Sequence, residues 1–479
     1  MEPTREQQYR RRIAELESQL RQRDERIAAL ERQVADLTAT VTKLTATVAK
    51  LSKNSSNSSK PPSSDIVKPP KANAKGPRRR RRIGGQPGHP KHEREPFGPD
   101  QVNCVWEYEL DECPACGGRL KPLKRAPRVI QQVEILERPI RITEHRGLRY
   151  RCPHCRKEHT AAVPKPVVKA GLAGPRLTAL VGYLKGVCHA SFSTICKFFH
   201  DVLNLTISRG ALAKLIHKAS SALAAVHQAL RARLPDEPRL NVDETGHKEH
   251  GRSLWTWCFR AEMFTLFKID PSRGSDVLLD VLGKEFDGVL GCDYFSAYRK
   301  YMKDFDVSVQ FCLAHLIRDV KFLLTLSDKV TQNYGRRLLD GLRKLFEVIH
   351  RRDRMTPDRF QRALAQARRR VLDVGRRAPP RSEARNLADR LRQHGDAYFQ
   401  FVTTPGVEPT NNLAEQAIRF VVIDRRVTQG TRSERGRAWC ERIWTIIATC
   451  AQQGRSVFEY LRDAIIAHFN GQPIPSLIA

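Results

Sequence analysis

The stretch "RLNVDETGHKEHGRSLWTWCFRAEMFTLFKID" (239–270) changes the period of the chain. Residues 172–234 before it are helical in pattern; from 238 the period is that of strands. "RLNVDETG" is a short apolar run ending in Asp243. "SLWTWCFRA" (253–261) alternates, with Trp255, Trp257 and Phe259 on one face, and "MFTLFKID" (263–270) is a third strand. Then "GSDVLLDVLGKEF" (274–286) reads as a helix. "GVLGCDYFSAYRKYM" (288–302) gives a fourth strand with Asp293 at its end and a helix after it. "VSVQFCLAHLIRDV" (307–320) gives a fifth strand and its following helix. Three strands in meander, then helix, strand and helix, predict a mixed α/β sheet with helices on both faces. In that order the first and fourth strands are neighbours, with Asp243 and Asp293 at or near their ends, where they can stand side by side. Two such carboxylates repel unless a cation lies between them, and adjacent carboxylates on rigid strands are the hard oxygen ligands that Mg2+ prefers.

At 479 residues the chain is too long for one core. With 84 lysines and arginines against 52 aspartates and glutamates, its formal net charge is +32. Such an excess calls for a polyanionic partner, and nucleic acid fits better than a membrane. No uninterrupted apolar run reaches spanning length, and "MEPTREQQYRRR" lacks the apolar core of a signal peptide. The expectation is a soluble, intracellular protein with no membrane partner. Its 12 cysteines then sit in a reducing compartment, as metal ligands or buried thiols rather than disulfides.

Residues 13–51 carry a heptad. Ile13, Leu20, Ile27, Val34, Val41 and Val48 fall at a; Leu16, Leu30, Leu37, Leu44 and Leu51 fall at d, and only Arg23 breaks the seam. This predicts a parallel, two-stranded coiled coil and hence a homo-oligomer, at least a dimer. "SKNSSNSSKPPSSD" (52–65) reads as flexible or turned chain. Residues 68–94 then hold ten lysines and arginines against one glutamate, including Arg78, Arg79, Arg80, Arg81 and Arg82 in succession. A run like this cannot bury a core but can follow DNA phosphates. Next come "CPACGG" (Cys113, Cys116) and "CPHC" (Cys152, Cys155), separated by 35 residues rich in β-formers. Each knuckle can give two thiolates to one tetrahedral Zn2+, a site with no open position that folds the chain rather than catalyses. Cys104, His154 and His159 are rival ligands. Residues 191–220 show two helices around a short turn, the second starting at Ser208, as in a helix-turn-helix or a plain helical hairpin.

Far downstream, "GVEPTNNLAEQAIRFVVIDRR" (406–426) places Glu415 at a polar-to-apolar junction. Its local reading is a helix start. Asn412 with Glu415 three residues on fits a capping box, and Arg419 four residues later can pair with Glu415.

The residues "VDETG", "GCDYFSAY" and "PTNNLAEQAIR" together resemble the D, D and E motifs of DDE transposases. The chain more specifically resembles the transposase of the insertion sequence 66 family: "NSSNSSKPPSSD", "GGQPGHP", the paired knuckles and "CLAHLIRD" match it in order along nearly the whole chain. The resemblance implies a ribonuclease-H-like catalytic core using two divalent cations, Mg2+ or Mn2+, and makes Glu415 the third ligand beside Asp243 and Asp293. It implies DNA cleavage at the element ends and joining of the 3′-OH to target DNA, with accessory proteins of the same element as partners, in the prokaryotic cytoplasm at the nucleoid. His315, Asn412 and Arg419 are candidate accessory residues; Arg425, Arg426 and Arg432 suit charge neutralisation. The expected organisation is a coiled coil (1–52), a basic linker (53–100), a zinc ribbon (101–165) and a helical DNA-binding domain (166–235). A catalytic core (236–320 and 401–430) follows, with a helical basic insertion (321–400) and a C-terminal helical region (431–479). Two alternatives share parts of this pattern: a nuclease of the same fold that does not join, and a DNA-binding regulator that needs no triad.

Overall fold

A computed structural model of the protein describes residues 5–51, 53, 95–108, 114–117, 119, 129–133, 135, 139–151 and 158–478. Arg78 to Arg82, Cys113, Cys152 and Cys155 lie outside the described residues. The chain forms two compact units, Met1–Pro69 with Ala162–Cys196 and Ile207–Ala479, and Pro70–Ala161 with Lys197–Thr206. The N-terminus is one helix, α1 (Arg5–Leu51), 47 residues and about 70 Å long at 1.5 Å per residue. Its heptad residues from Ile13 to Leu51 are all exposed. In the smaller unit β1 (Arg149–Arg151) pairs antiparallel with β2 (Glu158–Thr160), Tyr150 opposite His159. The Gln131 amide brackets the Phe97 backbone there, accepting from its N–H at 2.6 Å and donating to its carbonyl at 2.9 Å.

Next along the chain come α2 (Lys165–Ala170), α3 (Pro175–Gly186) and α4 (Phe192–Leu203), which passes into the smaller unit at Lys197, and then, in the larger unit, α5 (Arg209–Ala222) and α6 (Ala224–Arg233). Pro175 starts α3 where no helical N–H is needed, and the Ser208 hydroxyl caps α5 by accepting from the Ala211 N–H at 3.2 Å. A five-stranded mixed sheet follows: β3 (Arg239–Glu249), β4 (Arg252–Arg260), β5 (Thr265–Asp270), then α7 (Ser275–Leu282), β6 (Val289–Cys292), α8 (Ser296–Phe305) and β7 (Val309–Phe311). Its order is β5-β4-β3-β6-β7, antiparallel across β5-β4-β3 and parallel across β3-β6-β7. The strands are buried where they must be: Leu240, Val242, Trp257, Phe259, Phe267, Leu290 and Phe311 are all closed to solvent.

Asp243 does not end its strand. β3 runs six residues further, to Glu249, because a tight hairpin holds it: His250 and Gly251, both left-handed at φ 47° and 83°, turn the chain so that Glu249 faces Arg252. The free edge of β5 is covered by a helix. From α15 (Glu434–Gln452), Thr449 and Thr445 accept from the N–H groups of Thr265 and Phe267 at 3.2 and 3.0 Å, and Glu441 accepts from Ile269 at 2.6 Å. One helix face at i, i+4, i+8 thereby satisfies every second edge donor of the strand, which closes it to further strand pairing.

Between β7 and the last helices stand α9 (Leu313–Leu323), α10 (Lys329–His350), α11 (Pro357–Gly375), α12 (Ser382–His394) and α13 (Gln400–Thr403), packed through Leu338, Leu342, Leu345, Val371 and Leu391. Then α14 (Asn412–Thr428) lies on β3 and β4, α15 follows, and α16 (Val457–Asn470) closes onto α3, where Phe458 meets Tyr183 edge to face. No described helix is long and apolar enough to cross a membrane.

Candidate active site

The parallel ladder between β3 and β6 pairs Arg239 with Val289, Leu240 with Leu290 and Asn241 with Gly291. Carried two residues on, the same register sets Asp243 beside Asp293, on the same face. Asp293 sits just past the end of β6, where its Oδ1 accepts from the Phe295 N–H at 2.9 Å and starts the turn into α8. Glu415 comes from the first turn of α14.

Asn411 makes that approach possible. It is buried, its Nδ2 donates to the Val242 carbonyl at 2.7 Å, and its Oδ1 accepts from Asn241 Nδ2 at 2.9 Å. Its backbone N–H reaches the Cys312 sulfur at 3.1 Å, and the Pro409 carbonyl accepts from Leu313. The start of α14 is thus tied to β3 one residue before Asp243 and to the junction of β7 and α9. The capping box expected at Asn412 and Glu415 is absent: Asn411 is the capping residue and its side chain is committed to β3, so it caps nothing, while Asn412 is exposed. Arg419 is exposed as well. The cation beside Glu415 is Arg318 of α9, with Nη2 3.5 Å from Oε1.

The carboxylates feel one another. The Asp243 carboxyl is held well above the usual carboxylate range, first by burial and then by the charges of Glu244, Asp293 and Glu415. Burial and the Glu244 charge push Asp293 up to about 6, against the Phe295 N–H and the guanidinium groups of Arg273 and Arg390. Such an arrangement penalises ionisation, and a divalent cation among the oxygens is what relieves it. Oxygen-only donors on rigid elements fit Mg2+ or Mn2+. The carboxylate oxygens of Asp243, Asp293 and Glu415 do not all lie within 4.8 Å of one another, however. Among the described residues, the metal-competent trio with ligand atoms all within 4.8 Å of one another is Cys312, His315 and Glu415.

Glu244 points the other way from Asp243 and was missed in the sequence. It is buried beneath the site, accepts from Arg273 Nε at 3.0 Å and Nη2 at 2.7 Å, and accepts from the Tyr298 hydroxyl. Arg273 lies between the Trp255 and Phe295 rings, at 4.3 and 4.0 Å from their centroids. This satisfied cluster fixes the strand from behind. Arg390 does the same for the Asp293 turn, stacked 3.9 Å over Tyr294 and paired with Asp319 at 2.7 Å. Burial, then Arg318 and Arg390, lower His315 to about 3, so its ring is neutral. Arg425 donates to Thr245 at 3.2 Å, two residues along β3 from Asp243, while Arg426 and Arg432 are exposed.

Residues 170–438, which hold the whole sheet and all three carboxylates, match the family described as Transposase IS66 family. The chain belongs to the IS66 transposase family. Residues 111–156 match the zinc-finger binding domain of transposase IS66, a span that contains Cys113, Cys116, Cys152 and Cys155, and residues 2–95 match a family of unknown function. An uncharacterized protein of Sinorhizobium fredii, y4hP, is 23% identical over 402 residues, 76% of this chain and 72% of its own. The protein is therefore a multidomain IS66 family transposase of the DDE class, with a helical N-terminus, a zinc-finger domain that carries a structural zinc, a mixed α/β core and a DNA partner. The signal for Asn411 within the IS66 motif "PTNNLAEQ" was available but ambiguous: two adjacent asparagines precede the helix, and only the fold decides which of them is buried.

Proposed function

We propose that the chain is an active transposase that binds the ends of its insertion sequence, cleaves the phosphodiester there and joins the freed 3′-OH to target DNA. Asp243, Asp293 and Glu415 hold two Mg2+ or Mn2+ ions, on a core of ribonuclease-H-like topology. The observation that carries this reading is the β3–β6 register, which puts Asp243 beside Asp293, with Glu415 close enough to raise the Asp243 pKa. The strand order, three antiparallel strands followed by two parallel ones, supports the topology. Bound divalent cations supply activation of the attacking oxygen and neutralisation of charge on the leaving 3′ oxygen.

The chain's own residues do the rest. Asp243 and Asp293 present oxygens from the sheet, and Asn411 orients the helix that brings Glu415. Glu244 with Arg273 keeps β3 from shifting, and Arg425 places positive charge along the strand. Cys113, Cys116, Cys152 and Cys155 ligate the zinc of the finger. Arg78 to Arg82 follow phosphates without choosing sequence, and α4 with α5 forms a helix-turn-helix-like DNA-binding element. The exposed seam of α1 pairs with the same seam of a second copy. The protein works in the prokaryotic cytoplasm, at the nucleoid.

Glu415→Gln tests this. Because Glu415 makes no cap, the amide costs little stability; the melting temperature and DNA affinity stay near wild type while cleavage and strand transfer on end-sequence duplexes both fall by orders of magnitude. Asp243→Asn and Asp293→Asn abolish the same two steps, and double variants are little worse than singles. Cleavage without joining in the wild type would make the protein a nuclease. Retained strand transfer in Glu415→Gln would move the third ligand to Glu408 or Glu434.

A further inference from the structure

Two helices begin at one point beside the sheet. Cys312 is the residue just before α9 and His315 lies in its first turn; Glu415 lies in the first turn of α14. Cys312 is 2% exposed and His315 8%, and their ligand atoms and a Glu415 oxygen all lie within 4.8 Å of one another. The His315 ring is incompletely used. Its Nδ1 is buried, has no hydrogen-bond partner among the described residues, and points at Glu415 Oε1 from 3.6 Å, beyond hydrogen-bond reach. A histidine kept only for packing would normally donate or accept at that atom. The Cys312 sulfur accepts the Asn411 N–H at 3.1 Å, a contact that a metal-bound thiolate keeps.

We propose that Cys312, His315 and Glu415 form a binding site for a thiolate-preferring divalent cation of the Zn2+ class, and that filling it withdraws Glu415 from Asp243 and Asp293. The donor set decides the class: one sulfur, one imidazole nitrogen and one carboxylate oxygen suit Zn2+ or Co2+ and are foreign to Mg2+. With Zn–S near 2.3 Å and Zn–N near 2.0 Å, tetrahedral ligand atoms stand about 3.5 Å apart, so the trio must close by roughly 1 Å. Glu415 Oε1 and His315 Nδ1 already stand at 3.6 Å, so the closure falls on the approach of the Cys312 sulfur to the other two. Arg318 must also give way, since its Nη1 lies 3.4 Å from His315 Nε2 and its Nη2 3.5 Å from Oε1; both distances are long for hydrogen bonds. One carboxylate then serves two exclusive sites, a hard one on the sheet and a soft one at the helix starts. The soft site stands on geometry alone; the competition rests on the catalytic reading of Glu415.

The test uses the full-length protein with its finger zinc in place. Dialysis against Zn2+ adds one further bound equivalent, and Co2+ bound there gives a thiolate-to-metal charge-transfer band. Cys312→Ser, which keeps an acceptor for the Asn411 N–H, loses both, and His315→Gln weakens binding by at least about tenfold. Micromolar Zn2+ blocks Mg2+-dependent cleavage by the wild type, with a midpoint that matches the added equivalent. No equivalent beyond the finger zinc, or one indifferent to Cys312→Ser, overturns the site. A filled site with cleavage undiminished overturns the competition. If the aspartate variants keep cleavage while the cobalt band behaves as stated, the catalytic reading has failed and the metal site stands.

Discussion

Asp293 shows what the candidate site costs the fold. Its carboxyl binds a proton up to about 6 in the folded state against 3.8 for the free group, and Asp243 is shifted in the same direction. Between those two values the folded protein holds a proton that the unfolded chain has released, so stability is highest below the window and declines as pH rises through it. In magnesium-free buffer the melting temperature should therefore fall from pH 4 to pH 7. Asp293→Asn should flatten that fall and stabilise the metal-free protein at pH 7 by on the order of 2–3 kcal/mol. Added Mg2+ should raise the wild-type melting temperature at pH 7 and leave the variant unmoved; a wild type indifferent to Mg2+ would mean that the carboxylates hold no cation. The two aspartates were legible as strand residues on neighbouring strands. Their common level was not, because it depends on a ladder offset that no local pattern encodes. Nor was the soft trio: Cys312 and His315 are separated by two residues in "CLAHLIRD", but Glu415 joins them only through the Asn411 clamp.

Elements were read best where a period was long and worst at their ends. The meander was visible in Trp255, Trp257 and Phe259, whereas the true extent of β3 was hidden by the polar run "ETGHKE", which alternates between the α14 face and the Glu244 face. Wholly unforeseen was α15 as the cover of an edge strand, since it needs Glu441, Thr445 and Thr449 set against Ile269, Phe267 and Thr265 from 172, 178 and 184 residues earlier. Thr445→Val keeps the shape and removes the acceptor for the Phe267 N–H, a buried loss of about 1–3 kcal/mol. Chemical denaturation should register it; a neutral result would mean that the edge donor finds water instead. The opposite case is α1, whose heptad was plain and whose seam residues are all exposed. Deleting residues 1–52 should halve the mass measured by light scattering, and an unchanged dimer would place the interface elsewhere.

Across the whole molecule, the densest run of positive charge and the three candidate carboxylates lie in different parts of the sequence. Around the carboxylates three arginines are set against acids: Arg273 with Glu244, Arg390 with Asp319, Arg318 beside Glu415. Residues 68–94 hold ten lysines and arginines against one glutamate, so the run cannot neutralise itself. The expectation for this run rests on composition alone, because an arginine run without apolar residues cannot be drawn into a core. The roles proposed for the two, affinity for the run and catalysis for the carboxylates, can be separated by measurement. Replacing Arg78 to Arg82 by Gln should weaken binding to end-sequence and unrelated duplexes alike. The log–log salt slope should become shallower by about 0.9 for each phosphate that the variant no longer neutralises. Cleavage at saturating DNA should stay near wild type, since the three proposed metal ligands lie outside the run. A weakening confined to the end sequence would mean that the run reads bases or groove shape; a fall in turnover at saturation would mean that it reaches the site after all.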